Sequence, residues 1–176
     1  MLYGLEFQPF RDRAGWFVCT DPQCARADQV GLSELASERT ESAAGEGYQI
    51  FCGLLDDAQA EHRLFAVTDT DPCELIREFR VGSHNQANRA VEDATVEAVF
   101  TQMHGIYAVR PFRPYFIDAA GYHCRFVGSL TRDEAIAIER LFKEGGESYA
   151  ANWDGDDEDY VLTQLLSENE LHLWWD

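Results

Sequence analysis

The sequence predicts an α+β fold: a mostly antiparallel sheet built from hairpins, with about four or five helices packed on it. Three observations predict it. Short segments with two-residue alternation recur in pairs around turn-forming residues. Segments of helical periodicity fall between them without the regular strand–helix alternation of a parallel sheet. The chain has 176 residues and 45% hydrophobic content, enough to bury one large core. With no internal repeat and no composition shift marking a boundary, residues 1–176 are expected to form a single domain.

Tyr3, Leu5 and Phe7 alternate with Gly4, Glu6 and Gln8, the period of a half-buried strand. Residues 11–14 turn the chain, and residues 15–19 return beside it. Asp21-Pro22 breaks the pattern, and residues 32–41 suit a short helix followed by a Ser/Ala/Gly linker through Gly47. Residues 48–55 and 62–68 are apolar runs separated by a polar stretch, which reads as a hairpin with a longer loop. Asp71-Pro72 opens a short helix over 73–80. Asn88 can cap a better one, with Val96, Val99, Phe100 and Met103 on one face and Gly105 as its stop. Strands are expected over 106–110, 115–119 and 122–130, the last two hinged at Ala120-Gly121.

Thr131-Arg132-Asp133-Glu134 is a capping box, the strongest local signal in the chain. Ala135, Ile138, Leu141 and Phe142 give its helix a buried stripe, and Gly145-Gly146 stop it. Asp156 or Asp157 caps a further helix with Val161, Leu162, Leu165 and Leu166 inward and Asn169 at its end. Leu171, Leu173 and Trp175 alternate with Glu170, His172 and Trp174 as a closing strand.

Thirty-two acids against 14 bases give a net charge of −18. That excludes direct nucleic-acid binding, which needs a basic face, and adhesion to anionic membranes, which needs a polybasic segment. No apolar run approaches a membrane span, and Met1-Leu2-Tyr3-Gly4-Leu5-Glu6 has neither the basic nor the apolar region of a signal peptide, so a cytoplasmic location is expected. The acids are concentrated: beyond Lys143 there is no Lys or Arg, yet ten acids follow, five of them Asp154, Asp156, Asp157, Glu158 and Asp159. A second acidic stretch runs through Glu34, Glu38, Glu41, Glu46, Asp56, Asp57 and Glu61, offset only by Arg39.

The cysteines, Cys19, Cys24, Cys52, Cys73 and Cys124, are odd in number and scattered, as buried core thiols are. Cys19 and Cys24 have a knuckle-like spacing but no second pair, so zinc there would need a distant His. His123 and Cys124 are strand neighbours that point to opposite faces. An EF-hand loop from Asn152 fails, because Asp157 stands where Gly is required and Thr163 where the bidentate Glu belongs. Cys52 and His62 could meet across a hairpin, but an acidic field raises a thiol's pKa. No nucleophile elbow, P-loop, HExxH or dinucleotide fingerprint is present. No catalytic residue, metal site or cofactor is assigned.

What the sequence points to is non-catalytic binding of a basic protein partner, a nuclease or nucleic-acid-binding protein, in the manner of an inhibitor or immunity protein. Asp154, Asp156, Asp157, Glu158 and Asp159 supply long-range attraction, at a spacing that approaches that of nucleic-acid phosphates if extended. Trp153 and Trp174 or Trp175 are the expected interface anchors. The alternative is an enzyme or small-molecule-binding protein with an anion pocket built from Arg110, Arg113 and His104, isolated positive charge in an acidic chain.

Overall fold

The computed structural model describes residues 4–11, 13–54, 61–68, 71–82, 93–144 and 160–174. Within these the elements run β1 (Phe7–Pro9), β2 (Trp16–Cys19), a 3-10 turn (Cys24–Arg26), α1 (Gln29–Gly45), β3 (Tyr48–Gly53), β4 (Arg63–Thr68), α2 (Glu74–Phe79) and α3 (Asp93–Val109). They continue with β5 (Phe112–Asp118), β6 (Gly121–Phe126), α4 (Arg132–Glu144), α5 (Tyr160–Glu168) and β7 (Glu170–Trp174). The strands form one seven-stranded sheet in the order β1-β2-β4-β3-β5-β6-β7. Every described pairing is antiparallel except β3 with β5. The fold is the mixed, mostly antiparallel one that the sequence predicts.

Alternation along the strands divides the core in two. Phe51, Phe65, Ile117, Tyr122, Leu171 and Leu173 face the layer formed by α2, α3, α4 and α5. Ile50, Cys52, Leu64, Tyr115 and Phe116 face α1 through its Leu32, Ala36 and Ala43. Tyr115 and Phe116 are neighbours yet share a face, because the β5–β6 register shifts between Pro114 and Phe116. Such a bulge also accommodates Pro114, which has no N–H to give a central strand.

Several elements differ from expectation. Helix α1 extends through the Ser/Ala/Gly stretch because Ala36 and Ala43 are fully buried, and Asp28 caps its start by accepting the Gly31 N–H at 2.9 Å. Helix α3 does not stop at Gly105, and residues 106–109 are helical rather than strand. A mid-helix glycine costs about 1 kcal/mol. Ile106, which completes the buried stripe of Val96, Val99 and Met103, contributes about 1.5–3 kcal/mol by burial, so packing wins. In α5 Leu166 is 44% exposed, and Gln164 is buried in its stead.

Other expectations hold. Thr131 and Glu134 form the capping box, with Glu134 Oε2 accepting the Thr131 N–H at 2.8 Å and Thr131 Oγ1 accepting the Glu134 N–H at 3.3 Å. Asn169 ends α5 at φ 60°. Its side chain accepts the Leu130 N–H at 3.1 Å and donates to the Phe126 and Gly128 carbonyls at 2.9 Å each. The stop is therefore also the clasp that holds the β6–α4 connection against the start of β7.

Candidate functional site

The α1 side of the sheet is apolar over β3 and β5 but polar over β6 and β7. Pairing sets Arg125 opposite Glu170, His123 opposite His172 and Gly121 opposite Trp174, all on this face. Glu170 Oε1 accepts two bonds from Arg125, one of them at 2.9 Å from Nε. Its Oε2 accepts the Tyr115 hydroxyl at 2.7 Å and lies 3.0 Å from His172 Nε2. Gln164 Nε2 donates to His172 Nδ1 at 3.0 Å, which leaves the imidazole proton on Nε2, facing Glu170.

Burial alone would raise the Glu170 carboxyl, but hydrogen bonds from His172, Tyr115 and Arg125 outweigh it and bring the group down to about 2. Burial pushes the Tyr115 phenol well above its usual range. Burial, with His172 close by, lowers His123 to about 3, so its ring is neutral. The rings of His123 and His172 stack at 4.5 Å.

Glu168, Glu170 and His172 bring their donor atoms within 4.8 Å of one another, a spacing that could hold a metal ion. However, Arg125, Tyr115 and His172 already occupy both Glu170 oxygens, and Gln164 occupies His172 Nδ1. A cation there would have to displace one or more of these hydrogen-bond partners, so the cluster reads as a closed hydrogen-bond network.

A groove of about 290 Å³ runs between this network and α1, lined by Ser33, Glu34, Ser37, Glu38, Tyr115 and Glu170. Glu34, Glu38 and Glu41 are exposed along one face of α1. Arg39 lies 3.6 Å from Glu38 and donates to the Leu35 carbonyl at 3.3 Å. Like charges three and four residues apart destabilise a helix, so this carboxylate ridge is not there for α1's own stability. Trp174, on the edge strand, is 41% exposed. Its ring lies over Gly121, where a Cβ would come within 3.0 Å of the Trp174 and Phe116 rings.

A larger cavity, about 590 Å³, opens beside the start of α1 and is lined in part by Cys19, Cys24, Arg26, Gln29, His62 and Arg63. His62 Nε2 lies 3.2 Å from the fully buried Asp118, whose other oxygen accepts the Ala120 N–H at 2.8 Å. The His62 ring stacks on Phe116 at 5.6 Å. Asp118 ends β5 beside the end of β3, the carboxyl ends of the parallel pair, where ligand crevices form in open sheets. Cys52 does not engage His62: it is fully buried, its thiol is pushed up to about 12 by burial, and it lies 3.9 Å from the Gln29 carbonyl.

The structure separates the three residues expected to make an anion pocket. Arg110 is held by Glu134 at 3.0 Å and by the Ser129 carbonyl at 3.3 Å. Arg113 lies on the α1 side, opposite Arg125, and lines a groove of about 260 Å³ with Thr40 and Glu41. His104 is on α3, in the layer across the sheet, 3.9 Å from Asp71. Of the expected partner contacts, Trp174 is exposed, while Trp153, Asp154, Asp156, Asp157, Glu158, Asp159 and Trp175 lie outside the described residues. No described helix is long and apolar enough to cross a membrane.

Sequence reasoning missed Tyr115, Arg125, His123, Glu170 and His172 as a unit, and the His62–Asp118 pair. One local signal was present: Glu170 and His172 alternate with Leu171 and Leu173 on the strand that follows α5, so their face needed polar partners. Comparison with protein-family models, curated proteins and solved structures gives no match.

Proposed function

We propose that this chain is a non-catalytic binding protein for a basic protein partner, of the inhibitor or immunity type. The observation that carries the reading is the ridge of Glu34, Glu38 and Glu41 on α1, beside a groove lined by Glu170 and Tyr115. Trp174 is exposed on the edge strand of the same sheet face. Carboxylates around an aromatic anchor form the polar rim and core of a protein interface. Three charges over about 10 Å of helix are sparser than phosphates at roughly 3.4 Å along a nucleic-acid strand. The ridge therefore supports attraction of a basic surface rather than mimicry of a strand.

The test is capture from host lysate at low and high salt, with the native chain, a Glu34→Gln/Glu38→Gln/Glu41→Gln variant and Trp174→Ala in parallel. A single stoichiometric basic partner, lost with either variant, supports the reading. A partner that binds all three chains equally removes this surface from it. An Asp156→Lys/Asp157→Lys/Asp159→Lys variant then measures what the C-terminal acids contribute.

A second reading, a small-molecule-binding protein, is favoured by the cavity that His62 lines. A compound that raises Tm in the native chain but not in His62→Ala would support it.

A further inference from the structure

Resting on the partner reading above, we infer that Arg113 selects among basic partners: its guanidinium receives one carboxylate side chain, Asp or Glu, set in the partner's basic surface. Arg113 is half-buried on β5, on the α1 side of the sheet, and pairing sets it opposite another arginine, Arg125. Like charges directly opposite one another on a sheet are destabilising. Glu170 neutralises Arg125 and has both oxygens engaged by Arg125, Tyr115 and His172. Among the described residues the Arg113 side chain has no hydrogen bond or ion pair, and Glu41 lines the same groove without pairing with it. Arg13, Arg77, Arg110 and Lys143, by contrast, each reach a carboxylate within 3.0 Å. In a chain with 32 acids and 14 bases, a shortage of carboxylates does not explain a partnerless guanidinium in a recess.

The recess suits one carboxylate. Its volume is about 260 Å³, and Phe126, Val127 and Gly128 complete its wall. Val127 is exposed and offers an apolar surface to the methylenes of an Asp or Glu. A guanidinium presents a planar fork that takes a carboxylate through two parallel N–H bonds. The surrounding charge decides where that carboxylate comes from. A free anion approaching a chain of net charge −18 is repelled at long range. A carboxylate embedded in a basic surface is carried in by the attraction of its neighbours to Glu34, Glu38 and Glu41. Glu41 belongs to both features, so the recess adjoins the ridge. A partner bearing Lys or Arg at that point sets cation against cation, and one bearing a neutral residue leaves the guanidinium unpaired. Arg113 thereby discriminates between basic surfaces that the ridge alone attracts alike.

Two capped peptides serve as probes, with four lysines on either side of a central Asp in one and of a central Asn in the other, titrated calorimetrically at low ionic strength. The ridge alone favours the Asn peptide, because the Asp peptide carries one positive charge fewer. With the Arg113 recess the order inverts, and the native chain should bind the Asp peptide about three- to tenfold more tightly. In Arg113→Gln the Asn peptide should become the tighter of the two. Arg113→Lys, which keeps the charge without the fork, should fall between. A native chain that binds the Asn peptide equally or better overturns the role of Arg113 and leaves the ridge standing, as does an Asp preference that survives Arg113→Gln. If Glu34→Gln/Glu38→Gln/Glu41→Gln binds both peptides as tightly as the native chain does, or the native chain binds neither, the partner reading itself fails and Arg113 loses its role with it.

Discussion

The imidazoles of His123 and His172 stack with centroids 4.5 Å apart at directly paired positions of β6 and β7. Burial and that neighbour hold His123 neutral down to about pH 3, whereas in the unfolded chain it takes up a proton near 6.5. Below pH 6.5 the unfolded state therefore binds more protons than the folded one, and stability falls with pH until about 3. Between pH 6.5 and 5.0 the loss from this one group is about 1–2 kcal/mol. Urea titrations of the native chain and His123→Asn should diverge in slope across that window. Parallel pH dependences would show that His123 is protonated in the fold.

Glu170 makes the opposite kind of contribution in a lower window. Its carboxyl is brought down to about 2 against the ordinary 4.5, so its stabilisation is complete above pH 4.5 and disappears as pH falls toward 2. Removing Arg125 while leaving Glu170 in place strands a mostly buried carboxylate, and Arg125→Ala should cost about 2–4 kcal/mol. Adding Glu170→Gln should restore part of that loss. If Arg125→Ala costs under about 0.5 kcal/mol by chemical denaturation, the pair behaves as a surface ion pair.

Asn169 combines a left-handed backbone with three side-chain hydrogen bonds to the β6–α4 connection. Asn169→Gly keeps the conformational freedom and loses only the bonds. Asn169→Ala loses both, so it should be the worse variant by about 1 kcal/mol, with a total cost of about 2–4 kcal/mol. Equal Tm values for the two variants would show that the backbone geometry contributes nothing.

Residues that act locally were legible in the sequence. The Thr131–Glu134 box, the Leu171/Leu173 alternation and the Asn169 stop each depend on neighbours within a turn or a strand. The partners of the candidate sites lie far apart along the chain: His62 and Asp118 are separated by 56 residues, and Tyr115 and Glu170 by 55. Their meeting requires the parallel β3–β5 crossover and the bulge at Tyr115, and neither leaves a local pattern. Gly105 failed as a stop for a related reason, since what overrode its propensity was the buried seat of Ile106.

The α1 ridge gives a prediction in which stability and binding move in opposite directions. Glu34 and Glu38 are four residues apart and Glu38 and Glu41 three, so each pair costs the helix about 0.2–0.5 kcal/mol. Neutralising all three to Gln should leave the fold intact and hold or raise Tm. Salt should mimic the change, because exposed charges are screened within roughly 8–10 Å at physiological ionic strength. For a basic partner the same substitutions should slow association by about tenfold or more, with less effect on dissociation. Trp174→Ala should do the reverse and accelerate dissociation, because its ring supplies buried contact rather than steering. Stopped-flow association rates and surface-immobilised dissociation rates for the two variants separate these roles. If both variants bind as the native chain does while Tm rises in the Gln variant, the ridge carries no partner and the acids on α1 serve solubility alone.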